Sequence, residues 1–134
     1  MNRATLCLLN AERTARHLRR LIADGRLGSI ALDHSRDMVR RHYFAHLGPG
    51  GENWLARMGR LYHGRQRWQV GENLAWGDGV EGTSRSIVTA WMHSRDHRAN
   101  ILTAAFGRIG IGVATGVPHE AGLPGATYTT GFGT

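Results

Sequence analysis

FGRIGIGVATG, residues 106–116, is the stretch that decides the fold class. Ile109, Ile111 and Val113 alternate with Gly110 and Gly112, the period of two that sends successive side chains to opposite faces of a strand. A second strand is predicted over GATYTTGFG, residues 125–133, which is rich in Thr and aromatic residues, with a loop from Pro118 to Pro124 between the two. Upstream the spacing becomes helical. Leu8, Ala11, Ala15, Leu18 and Ile22 recur at helical intervals opposite a row of Arg, predicting an amphipathic helix over the first twenty-odd residues, ended by Gly25. Leu27, Ile30, Ala31, His34 and Met38 repeat the pattern to about Arg41, and His34 on that apolar side is expected as a hydrogen-bonded core histidine. Gly48, Pro49, Gly50 and Gly51 then turn the chain. The reading continues with a short helix over Glu52 to Arg60, a polar loop over 61–66, a short strand from Trp68 to Val70, and a helix capped by Thr83 or Ser84. Trp76 and Trp91 are expected in the core. Helices in the first two thirds and strands in the last third predict an α+β domain with helices covering an antiparallel sheet.

The 134 residues suit one domain over 1–134 with a single core. All 17 cationic residues are Arg and the net charge is +7, which fits a solvated surface or attraction to a polyanion. The arginines are scattered and no nucleic-acid-binding signature accompanies them, so no specific nucleic acid partner is expected. Cys7 stands alone, which excludes an intrachain disulfide, and its apolar helical context predicts burial. No stretch reaches the roughly 18 to 20 apolar residues of a membrane span. The first twenty residues lack the basic, apolar and small-residue order of a signal peptide. The chain then reads either as cytoplasmic, with Met1 the true start, or as the mature part of a longer precursor. GDGVEG (77–82) matches a dinucleotide-binding glycine pattern, but Asp78 and Glu81 would repel a pyrophosphate, so a surface turn is expected.

WMHSRDHRANIL (91–102) carries the first chemistry. A helix runs into Trp91, stops near Ser94 and restarts with His97 in its first turn, Ser94 being the N-cap candidate and Asp96 an acid just inside. The positive end of the helix dipole disfavours an imidazolium there, so His97 is expected neutral and able to bind a metal or take a proton. His46 leaves the preceding helix beside a glycine-rich turn, where a side chain can face a cleft. GENLAW (71–76) places Glu72, Asn73 and Trp76 at a strand end, with Asn73 expected to tie down the turn.

Seven pieces in order, LLNAER (8–13), HSRDM (34–38), YFAH (43–46), GENLAWG (71–77), W-x-x-S-x-x-H-R-x-N-I-L (91–102), IGIGVA (109–114) and YTTGFG (128–133), resemble the CAP superfamily. That is the domain of cysteine-rich secretory proteins, antigen 5 and plant pathogenesis-related 1 proteins, and the likeness is to its compact bacterial branch. The resemblance implies an α-β-α sandwich with a central antiparallel sheet of about three to four strands between helix layers. It implies a cleft formed by His46, Glu72 and His97, whose histidines hold a divalent metal such as zinc. Ser94 stands where the eukaryotic branch has a second acid, and Ser94, Asn73 and Asp96 are the neighbouring candidates for ligand binding. Two imidazoles and one carboxylate are the minimum for a catalytic type of zinc site; Glu72 either binds the ion or orients one imidazole. The same trio could equally be a hydrogen-bonded cluster that holds two helices to the sheet. The implied function is an extracellular binding module for an anionic lipid, a sterol-like ligand or a cell-envelope polymer. Alternatives are a metal-dependent peptide or ester hydrolase using His46, His97 and Glu72, and an interaction scaffold presenting the 77–82 and 117–124 loops. The resemblance also implies a monomer, secreted or in the cell envelope, made as a precursor in which Cys7 pairs with an upstream cysteine.

Overall fold

The computed structural model describes residues 1–59, 61, 68–119 and 123–134. Its elements run α1 (Asn2–Thr14), β1 (Ile22–Ala23), α2 (Gly25–Arg41), α3 (Trp54–Gly59), β2 (Val70–Asp78), a 3-10 turn (Gly79–Gly82), α4 (Ser84–His93), α5 (Arg95–Leu102), β3 (Arg108–Thr115) and β4 (Gly125–Gly133). The four strands lie in the order β1-β3-β4-β2. β3 and β2 both pair antiparallel with β4, whereas β1 joins β3 in parallel over two residues, so the sheet is mixed rather than purely antiparallel. α2 covers one face and α1, α4 and α5 the other, giving the α-β-α sandwich.

The alternation in β3 explains both layers. Ile109 and Ile111 enter the main core with Leu9, Trp91, Tyr128 and Phe132. Gly110 and Gly112 face α2, where a Cβ would overlap the α2 backbone at Leu27 and at Ala31 and Leu32 respectively. The helix lies directly on the strand because those positions lack side chains. Ser35 of α2 closes the contact, its Oγ lying 3.1 Å from the Gly112 carbonyl and 2.8 Å from Thr129 Oγ1.

Several boundaries differ from the sequence reading. The first helix ends at Thr14, not near Gly25, because the chain folds back over it: His17 takes a positive φ of 58°, and the Asn10 side chain clasps both the N–H and the C=O of Leu21 at 2.8 and 3.1 Å. Gly25 instead begins α2, which Asp24 caps by accepting from the N–H groups of Arg26 and Leu27. The strand expected over Trp68 to Val70 starts at Val70 and takes in the whole of GENLAWGD. Thr83 caps α4, and of the turn expected over 77–82 only 79–82 form it, because Gly77 and Asp78 pair with β4 as the end of β2. Cys7 is exposed, since it falls on the outer side of α1. Trp91 is buried as expected, but Trp76 is 36% exposed, edge-on to His119, because it lies on the edge strand near the sheet end. Of the loop expected over 61–66, all but Leu61 lies outside the described residues, as do 120–122 of the loop before β4. No helix among the described residues is long and apolar enough to cross a membrane.

Candidate functional site

β2 is the edge strand next to β4, so elements from the two faces can meet along its outer side. Its pleat divides the GEN motif between them. Glu72 pairs in register with Gly131 and Asn73 with Thr130, so the two side chains leave opposite faces.

On the α2 side the chain leaves the helix at His42, which takes a left-handed φ of 56°. Buried His34 holds the following loop by donating from Nε2 to the Ala45 carbonyl at 3.0 Å. Tyr43 donates from its hydroxyl to Asp37 Oδ2 at 2.8 Å, which pins the same segment to α2. Burial, with the positive charge of Arg57, lowers the His34 pKa, and the ring is the hydrogen-bonded core histidine the sequence implied. Burial, with the bond to Asp37, raises the Tyr43 pKa to about 12.

The pinned loop brings His46 over Glu72, with His46 Nδ1 donating to Glu72 Oε1 at 2.7 Å. The Glu72 side chain is 3% exposed and that of His46 58%. The second carboxylate oxygen accepts from Arg57 Nη2 at 2.8 Å, and the same nitrogen donates to the His46 carbonyl at 3.0 Å. Arg57 Nη1 donates to the Glu52 carbonyl at 2.7 Å. Arg57 is the residue that sequence reasoning missed; its partner lies fifteen positions away on another element, and a W-x-x-R spacing on a short helix carries no signal for it.

On the other side, His97 is the third residue of α5, as read from the sequence. Ser94 is the N-cap by position, but its hydroxyl meets His97 Nδ1 at 2.8 Å instead of capping the backbone. Burial lowers the His97 pKa first; the charge of His46 lowers it further, and Asp96 opposes this. Asn73 donates to the His97 carbonyl at 3.0 Å and accepts from Asn100 at 2.8 Å, which places it as the tie between β2 and α5 rather than as a turn residue. Asp96 stays outside the site: its side chain is 82% exposed and paired with Arg95.

Both oxygens of Glu72 are thus engaged by His46 and Arg57. Among the described residues, no three His, Cys, Asp or Glu side chains are placed to share one ion. What the donors do fit is a pair of imidazoles, each tethered through Nδ1, with a carboxylate behind one of them as metal-bound histidines characteristically have. Beside this cleft, a groove of about 830 Å³ between α2 and α3 is lined by charges of both signs, Asp33, Asp37 and Glu52 against Arg36, Arg40 and, shared with the cleft, Arg57. Phe44, Leu47 and Leu55 nearby in the chain are exposed apolar side chains.

The relatives agree with this architecture. YkwD of Bacillus subtilis, an uncharacterized protein, is 37% identical over 105 residues, which are 78% of this chain and 39% of that protein. An extracellular SCP-domain protein from Bacillus anthracis superposes with a TM-score of 0.76 at 28% identity, covering 97% of this chain and 39% of that one. An outer surface protein of Borrelia burgdorferi has the same fold, with a TM-score of 0.77 at 17% identity over 98% of this chain and 90% of its own. The present chain spans about two fifths of the first two proteins. The cysteine-rich secretory protein pattern itself runs through residues 6–129, from α1 into β4, and the chain belongs to that family, the CAP family.

Proposed function

We infer that this CAP domain is a binding module of the cell envelope or exterior, in which His46 and His97 hold a divalent cation, zinc being the best match, beside a surface that takes an anionic lipid or envelope polymer. The observation that carries this reading is the tethering of both imidazoles through Nδ1, which leaves each Nε2 as a ligand-competent nitrogen when Nδ1 carries the proton. Zinc bound there would supply open coordination positions for oxygens of an anionic head group. The exposed Phe44, Leu47 and Leu55 and the net charge of +7 support an anionic, partly apolar ligand. Turnover has less support, because Glu72, the candidate general base, spends both oxygens on His46 and Arg57. The extracellular setting of the Bacillus anthracis protein supports export.

Calorimetric titration of the metal-stripped protein with zinc tests the reading. Saturable binding is expected in the parent and should vanish in His46→Ala and in His97→Ala. A parent that takes up no zinc, with both variants merely less stable, would make the trio a structural cluster. Sedimentation with vesicles tests the second half: retention should rise with anionic lipid content, and equal retention on neutral vesicles would remove the charge-based ligand class.

A further inference from the structure

We propose that Arg57 determines the cation preference of the cleft by keeping Glu72 out of the coordination shell. This rests on the metal reading above and concerns a residue that is not one of its ligands. Glu72 is a nearly fully buried carboxylate, and the guanidinium of Arg57 takes its Oε2 at 2.8 Å while His46 takes Oε1. Arg57 also spans two backbone carbonyls, of His46 and Glu52, and stacks 5.9 Å from the Trp54 ring centre. Its Nε–H is buried with no partner among the described residues, so the side chain is placed by what its two terminal nitrogens hold.

The consequence is chemical. A carboxylate matched by a guanidinium offers no free oxygen and no net negative charge, so an incoming ion meets two imidazole nitrogens. Imidazole suits zinc, copper and nickel, whereas manganese, magnesium and calcium favour carboxylate and carbonyl oxygen. Arg57 is thus a filter: it holds the site to nitrogen-preferring ions and limits how tightly they bind. Removing the guanidinium would strand a buried carboxylate beside His46, and a cation is the partner that would relieve it. The sign of this effect separates a filter from a structural clamp, because loss of a clamp weakens binding.

The experiment compares the parent, Arg57→Gln, Arg57→Lys and the double variant Arg57→Gln/Glu72→Gln in calorimetric titrations with zinc and with manganese, alongside thermal melting. Arg57→Gln should bind zinc about tenfold more tightly, the low end of the range through which partners behind a ligand tune affinity, and should acquire measurable manganese binding. Both gains should disappear in the double variant. Lys keeps the charge and could meet Glu72 and the His46 carbonyl from one nitrogen, but it lacks the second terminal nitrogen that anchors Arg57 to the Glu52 carbonyl, so it holds Glu72 less firmly, and Arg57→Lys should bind zinc more tightly than the parent but less tightly than Arg57→Gln. A folded Arg57→Gln that binds zinc no more tightly than the parent overturns the proposal; if that variant does not fold, an Arg57→Lys no tighter than the parent does the same. A parent blind to zinc removes the metal reading by itself, but if Arg57→Gln then binds, the filter stands. Failure of both to bind removes filter and metal site together.

Discussion

Two arginines, both turned inward, serve different helices of the molecule. Arg13 on α1 is fully buried in the helical layer and meets no carboxylate among the described residues; Nε donates to the Arg19 carbonyl, Nη1 to those of Ile101 and Thr103, and Nη2 to that of Phe106. Arg57 on α3 meets a buried carboxylate and two loop carbonyls, and its Nε is left unpaired. In the first region the cation serves the fold: it sits at the negative end of the α5 dipole and absorbs carbonyls that the helix terminus leaves open. In the second it serves a half-exposed histidine through a shared carboxylate. An arginine with a partner on every nitrogen marks a structural joint here, and one with an unpaired nitrogen beside an accessible ring marks the candidate site.

The largest effect that could break this contrast is on Arg13. Arg13→Met removes four hydrogen bonds from a charged donor, two of them to carbonyls in buried contacts at Ile101 and Phe106, so a loss of about 3 to 5 kcal/mol is expected. Urea unfolding measures it. Zinc affinity of the protein that remains folded should equal that of the parent; a variant of near-parental stability with altered zinc binding would erase the division between joint and site.

Gly131→Ala sharpens the other half. Gly131 lies beneath Trp54, and an added Cβ would overlap the indole ring over which Arg57 is stacked. The expected cost is about 1 to 3 kcal/mol, since the short α3 can yield more readily than the sheet. Unlike Arg13→Met, this change should move zinc affinity, because Arg57 shifts with Trp54. Unaltered affinity at reduced stability would show that the hold of Arg57 on Glu72 does not depend on the seating of α3.

The same contrast separates what was legible in the sequence from what was not. The IGIG alternation gave a strand whose bare face must accept something close, and α2 lies there, with its backbone against Gly110 and Gly112. His34, Thr83 and the third-residue position of His97 were also readable, because period and capping are local properties. The end of α1 was not, since Thr14 stops the helix through tertiary clasps by Asn10 and Arg13 that no local pattern encodes. Two-residue β1 has the same cause, existing as a strand by pairing with β3. Within the site, the motifs named His46, Glu72 and His97 but gave no account of the charge that Glu72 faces. Ser94 misled in an instructive way: its position as N-cap was right, but the His97 ring competes with the backbone for its hydroxyl.

The smallest expected effect concerns pH and lies in the second region, at His34. Burial lowers its folded-state pKa, Arg57 lowers it further, and Glu72, the bond to Ala45 and Asp37 pull it back only in part. The unfolded chain therefore takes up the proton first as pH falls below about 6.5, so the unfolded state binds more protons and stability declines with acidification through that window. His97 adds in the same direction, its pKa being lowered by burial and then by His46. Asp37 acts elsewhere: burial pushes its pKa up, but the bonds from Tyr43 and Arg40 outweigh this and hold it below the ordinary value, so its contribution fades in more acidic solution, below about pH 4. Melting curves at pH 7.5 and 5.0 should differ by only a few degrees in the parent, roughly the response of a domain this size to a kilocalorie or so. In His34→Gln the amide can still donate to the Ala45 carbonyl and does not titrate, so the difference should shrink to the part contributed by His97. If the variant keeps the full pH dependence, the peg beneath the His46 loop is not the acid-sensitive element, and the coupling of loop to core is insensitive to proton uptake at that ring.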